Sequence, residues 1–175
     1  MHSTEKTTEM KIHVITELSE IINENSNEDL KNIKLYIDID KTCMTPEKII
    51  ARAFNSNYVL RNRIILNTKK LSFGYNDNLI PTRHDFNKFI SECKNTFKYV
   101  AYVTNRPCSD FNKIKHELSA HHLPTDIDIV NQNNIRENLY NETFYYVDSD
   151  EKAYQYIING NNQSNKSKLF KLSIC

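Results

Sequence analysis

The stretch "KLYIDIDKTCMTP", residues 34–46, decides the reading of this chain. A β-type apolar run, Ile33 to Ile39, carries two carboxylates at its end, Asp38 and Asp40, and Thr42 follows two residues later. Like charges at the buried end of a strand repel, and each loses hydration. A cation, a proton or water must compensate them. The next residues, "TPEKIIARAF", read as a helix with Thr45 as N-cap and Pro46 at its first position.

Working outward, the pattern alternates strands and helices. Upstream, Met10, Ile12, Val14, Ile15, Leu18, Ile21 and Ile22 recur at helical spacing, which predicts a helix from Glu5 to Asn23 within an N-terminal segment, residues 1–30. Downstream, Val59 to Pro81 holds β-branched runs broken by Asn and Gly, which fits a hairpin or an irregular flap. A helix is expected over Thr82–Phe97, then a strand in "KYVAYVTNRP" and a helix over Ser109–Ala120. Further strands are expected at Asp126–Val130, in "TFYYVD" and in "KLFKLSI", with a brief helical segment at Asn133–Tyr140 and a helix in "EKAYQYII". Alternation of this kind implies an α/β domain with a parallel sheet covered on both faces. Its ligand should sit beyond the carboxyl ends of the strands.

Composition narrows the chemistry. A chain of 175 residues is sized for one domain, read here as 1–175. Its net charge of +1 gives no broad field for a polyanion, so no nucleic-acid partner is expected. Only two glycines occur, Gly74 and Gly160, which removes glycine-rich phosphate loops of the Walker or dinucleotide type. The four cysteines form no C-x-x-C pair, and the N-terminal stretch is charged throughout. Reduced thiols, a cytoplasmic location and no membrane partner are therefore expected. Cys43 reads as a packing residue, and His116 with the His121–His122 pair as a solvated helix end rather than a zinc site.

Three of the expected strands end in reactive side chains: Asp38-Ile39-Asp40-Lys41-Thr42, then Thr104-Asn105-Arg106, then Asp148-Ser149-Asp150. Each alone is ordinary turn or cap chemistry. Their order, each after a separate strand, resembles the haloacid dehalogenase (HAD) superfamily. That family's first motif, D-x-D-x-T, matches Asp38, Asp40 and Thr42. Its second, a Thr or Ser ending the next strand, matches Thr104, and its acidic fourth motif matches Asp148 and less closely Asp150. The resemblance covers about residues 33–175 and implies a Rossmann-like core of about five parallel strands in the order 5-4-1-2-3. Residues 43–95 would then hold a small cap or flap insert, since roughly sixty residues separate the first two motifs. "VTNRP" is most similar to the Thr-x-Arg of HAD acid phosphatases. Lys41 stands where glycine is frequent, and the Lys or Arg of the third motif has no clear match. Arg136 is nearest to its expected place, with Lys115 and Lys113 as rivals.

What the resemblance implies is a Mg²⁺-dependent phosphomonoester hydrolase. Asp38 would be the nucleophile and Asp40 the general acid and base. Mg²⁺ would be held by Asp38, the Asp40 carbonyl and Asp148, with Asp150 as a weaker candidate. Thr104, Asn105 and Arg136 would border the phosphoryl group. For Arg106 two readings stand side by side, a substrate contact and an ion pair that holds its loop. The partner would be a phosphorylated substrate, and a small cap suits a bulky one such as a phosphoprotein. In length and composition the chain is also compatible with compact HAD phosphatases that bacterial pathogens deliver to a host cytosol, some of them acting on phosphotyrosine. The rival reading is a HAD-fold module that binds phospho-ligands or a protein without turnover.

Overall fold

The apolar runs in the centre of the chain do not alternate with polar residues, and this pattern belongs to strands buried on both faces. The computed structural model describes residues 10, 12–23, 25, 28–46, 79–135, 139, 142–150, 153–154, 157 and 167–173. Among them lie eight strands: β1 (Ile12–Ile15), β2 (Lys34–Asp38), β3 (Met44–Pro46), β4 (Leu79–Pro81), β5 (Tyr99–Thr104), β6 (Asp128–Asn131), β7 (Phe144–Asp148) and β8 (Lys168–Leu172). The α-helices with described bounds are α1 (Glu20–Asn23), α2 (Phe86–Thr96) and α3 (Phe111–Ala120), and single 3-10 turns lie at Leu30–Asn32, Cys108–Asp110 and Gln132–Asn134. No helix among the described residues is long and apolar enough to cross a membrane.

Six strands form one sheet in the order β1-β8-β7-β2-β5-β6, and every pairing in it is parallel. β2 lies between β7 and β5, with Ile37 opposite Val147 on one side and Tyr102 on the other. Side chains alternate across the sheet. Leu35, Ile37, Tyr102, Tyr145 and Val147 join one buried cluster, under α2 (Phe86, Ile90, Cys93) and α3 (Ile114, Leu118). Tyr36, Ala101, Val103, Phe144 and Tyr146 join a second, closed by Ile135, Leu139, Tyr154 and Ile157. Both faces of β2 from Leu35 to Ile37 are therefore dry, and its carboxyl end leads to the polar residues Asp38 and Asp40.

The N-terminal segment differs from expectation. The helix expected over Glu5–Asn23 is, in the described residues, a strand and a short helix. β1 pairs in parallel with β8, from Ile12 against Leu169 to Ile15 against Leu172. The β-branched residues Ile12, Val14 and Ile15 favour an extended backbone, and the open edge of β8 supplies the hydrogen-bonding partner. This raises the sheet from the expected five strands to six and changes its order. The five strands after β1 run β8-β7-β2-β5-β6.

A second difference follows the D-x-D-x-T stretch. Thr45 and Pro46, expected to start a helix, lie in β3, which pairs antiparallel with β4 through Met44–Pro81, Thr45–Ile80 and Pro46–Leu79. Cross-strand pairing with Leu79–Pro81 overrides the local Thr-Pro helix signal. The remainder of the helix read after Pro46, and the flap from Val59 to Asn78, lie outside the described residues.

Candidate active site

β2, β5, β6 and β7 are parallel neighbours, so their carboxyl ends open on one rim, where Asp38, Thr104, Asn131 and Asp148 are the terminal residues. In-register pairing sets these positions side by side: Asp38 is opposite Val103, and Thr104 is opposite Asn131. Beyond β2 the chain folds back at once. The Ile39 N–H donates to the Val103 carbonyl at 2.9 Å, and the Ile39 carbonyl accepts from the N–H groups of Cys43 (3.0 Å) and Met44 (2.9 Å). The Lys41 N–H donates to the Met44 carbonyl at 2.6 Å. Closing so tight a turn puts Lys41 at φ 72°, in the left-handed region where a side chain costs about 1 kcal/mol relative to glycine. The turn is tied to the start of α2's connection by Thr82, whose N–H donates to the Cys43 carbonyl at 2.9 Å and whose hydroxyl donates to the Thr42 carbonyl.

Two groups of polar side chains result. In the first, Thr42 is the hub. Its hydroxyl lies 2.9 Å from Asp38 Oδ2, 3.2 Å from Ser149 Oγ and 3.5 Å from Asp148 Oδ1, and it accepts the Ser149 N–H at 3.0 Å. Asp38, Thr42, Asp148 and Ser149 are all buried, with Asp38 5% and Asp148 1% exposed. Asp148 Oδ1 also accepts the Asp150 N–H at 2.8 Å, and the Tyr146 hydroxyl lies 3.4 Å from Asp148 Oδ2. The electrostatics follow from the burial. Desolvation first, then the charges of Asp148 and Asp38, push the Tyr146 hydroxyl well above its ordinary range. Burial first, then Asp38, Asp40 and Asp148, likewise push up the Cys43 thiol, which keeps it protonated and inert.

The second group centres on Asp40, which lies past the strand and is half-buried. Arg106 approaches it with Nε at 2.9 Å and Nη2 at 2.6 Å, both on Oδ1, while the Thr104 hydroxyl donates to Oδ2 at 2.7 Å. The remaining arm of the guanidinium, Nη1, reaches Glu117 Oε2 on α3 at 2.7 Å. The Arg106 backbone is held at both ends: its N–H donates to Thr104 Oγ1 at 3.1 Å, and its carbonyl accepts from Asn131 Nδ2 at 2.8 Å. Burial opposes the charge on Arg106, but Asp40 and Glu117 outweigh it and hold its pKa above the ordinary value. Of the two readings of Arg106, the ion pair that holds the loop is the one formed here.

Asp38, Asp40, Thr104 and Asp148 thus converge on one rim. Asn105 is exposed beside them, and Lys115 is exposed on α3. Lys113 lies 3.8 Å from Glu117. Arg136 lies outside the described residues. Asp150 contributes its N–H to Asp148. Sequence reading assigned no role to Ser149, Glu117 or Asn131. Ser149 was legible as the middle of D-S-D, whereas Glu117 had only its i,i+4 spacing from Lys113.

Among the described residues no three His, Cys, Asp or Glu side chains form a metal-holding cluster. A hard cation here would therefore draw on two carboxylates, Asp38 and Asp148, together with backbone or water oxygens. That donor chemistry suits Mg²⁺, which keeps several of its own waters. No protein-family model, curated protein or solved structure matches this chain.

Proposed function

We propose that this protein is a phosphomonoester hydrolase of the haloacid dehalogenase type, dependent on Mg²⁺ and acting through an aspartyl phosphate. The observation that carries the reading is the meeting of Asp38 and Asp148, from adjacent parallel strands, on the Thr42 hydroxyl. Asp38, Asp148 and the Asp40 carbonyl are the groups that would hold the ion. When bound, Mg²⁺ offsets the charge of the two carboxylates and of the substrate's phosphoryl oxygens.

The chain's own residues divide the remaining work. An Asp38 carboxylate oxygen bonds to phosphorus as the ester P–O bond breaks, and the proton on Asp40 passes to the departing alcohol oxygen. Water then gives its proton to Asp40 as its oxygen bonds to phosphorus, and the bond from Asp38 to phosphorus breaks. Ester and water become alcohol and phosphate, with both aspartates restored. Thr104 supplies a hydroxyl at the same rim for a phosphoryl oxygen. Asn105, exposed beside it, is the residue a substrate would meet next.

For the substrate class we propose a phosphorylated protein, phosphotyrosine included, in line with the short insert read from the sequence. Hydrolysis of p-nitrophenyl phosphate with and without Mg²⁺, with Asp38→Asn as control, tests the class of reaction. Metal-dependent turnover that disappears in the variant is the expected result. A phosphopeptide panel set against sugar phosphates tests the substrate, and preference for a small sugar phosphate would overturn the protein class. Binding of phosphopeptides without turnover would instead favour a non-catalytic module.

A further inference from the structure

We propose that Glu117, a residue of α3, is a positioning residue that sets the Asp40 carboxylate for proton transfer through Arg106. The inference rests on the hydrolase reading above. A guanidinium is planar, and a contact on one edge leaves it free to swing about its long stem. Here opposite parts of the plane are taken: Nε and Nη2 bind Asp40 Oδ1, and Nη1 binds Glu117 Oε2 at 2.7 Å. The three side chains are 14%, 18% and 19% exposed for Arg106, Asp40 and Glu117, so solvent screens the contacts only in part. Glu117 is itself steadied by its helix, because Ile114 and Leu118, on either side of it, are 0% and 1% exposed in the core.

The arrangement distinguishes the two oxygens of Asp40. Oδ1 accepts two N–H groups from a group that stays charged, and this anchors it. Oδ2 accepts only the Thr104 hydroxyl among these contacts, and a hydroxyl hydrogen rotates freely onto another acceptor. When a phosphoryl oxygen takes the Thr104 hydrogen, Oδ2 is released at the rim while Oδ1 stays fixed. Oδ2 is therefore the oxygen that passes the proton, and Glu117 maintains its direction by holding the far arm of Arg106.

The test compares two esters in the intact protein. p-Nitrophenolate departs with little help from a proton, whereas an alkoxide needs one. With Glu117→Gln, kcat/KM on an alkyl phosphate, which reports the steps up to departure of the alcohol, should fall by about 10-fold or more, a part of what acid catalysis typically supplies. On p-nitrophenyl phosphate kcat/KM should change less than about 3-fold, because departure of that group needs little help from a proton. Glu117→Asp, which keeps the charge on a shorter arm, should recover part of the alkyl-ester rate. Equal losses of kcat/KM on both esters, or none on either, would overturn the positioning role while leaving the hydrolase reading intact. Absence of turnover of either ester by the unaltered protein would remove the hydrolase reading and this inference with it.

Discussion

The two aspartates of the D-x-D step are one residue apart but belong to different regions, the β2–β7 tip and the β2–β5 tip. Asp38 is the last residue of β2, buried between strands, and its carboxylate meets a hydroxyl shared with Asp148 and Ser149. Asp40 lies past the strand, partly open, and is clamped by a guanidinium and a second hydroxyl. At the first tip, two carboxylates converge in a dry place that favours a cation. At the second, the Arg106 guanidinium lies directly against the carboxylate. The difference teaches that a like-charged pair in sequence need not be a like-charged pair in space, because the turn at Lys41 sends the second acid toward β5.

The first tip is the more sensitive of the two. Asp38→Asn removes the nucleophile while keeping the shape of the side chain. Its expected effect is a loss of turnover on the order of 10⁴-fold with an unchanged far-UV spectrum. Retention of metal-dependent rate would move the nucleophile elsewhere. The metal sharpens the contrast between the tips. Mg²⁺ at ten times its dissociation constant should stabilise the protein by about 1.4 kcal/mol, read as a rise in Tm. Asp148→Asn should abolish that rise and Asp40→Asn should preserve most of it, since only the backbone carbonyl of Asp40 would serve the ion. Equal losses in the two variants would contradict the division.

A smaller effect tests the hub of the first tip. Thr42→Val leaves the buried Ser149 N–H and an Asp38 oxygen without their shared hydroxyl. Urea unfolding should register about 1–3 kcal/mol of lost stability. The smallest effect lies far from both tips, at the turn that leads from β1 into α1. Glu20 Oε1 accepts the N–H groups of Glu17 at 2.6 Å and Thr16 at 2.9 Å, which lowers its pKa from the ordinary 4.5. A depressed carboxylate contributes stability above its unfolded pKa and loses it as pH falls through the folded value. Glu20→Gln should therefore cost a little at pH 7, and the gap between the two proteins should close below pH 4.5. A gap that persisted at lower pH would assign the effect to packing rather than charge.

How legible this was in the sequence varied with how local the cause was. The central strands were readable because burial on both faces demands unbroken apolar runs, as in Tyr99–Thr104 and Phe144–Asp148. α2 and α3 were readable because one apolar stripe each meets the sheet, through Phe86, Phe89, Ile90 and Cys93 and through Ile114 and Leu118. β1 was not, since Ile12, Val14 and Ile15 satisfy both helical spacing and a short edge strand, and only the free edge of β8 decides between them. Thr45 and Pro46 were misread for the same reason: their partner, Leu79–Pro81, lies more than thirty residues away.

The sequence by itself determined the α/β alternation, the acids, the threonine and the arginine at strand ends, and the exclusion of glycine-rich phosphate loops. These depend on composition and on periods of two or 3.6 residues, which are local properties. Tertiary structure alone decided that Asp38 meets Asp148, that Asp40 meets Arg106, and that Glu117 reaches the site at all. Those pairings join residues separated by whole strands and helices, and parallel order in the sheet, which no local period encodes, is what brings their ends to one rim.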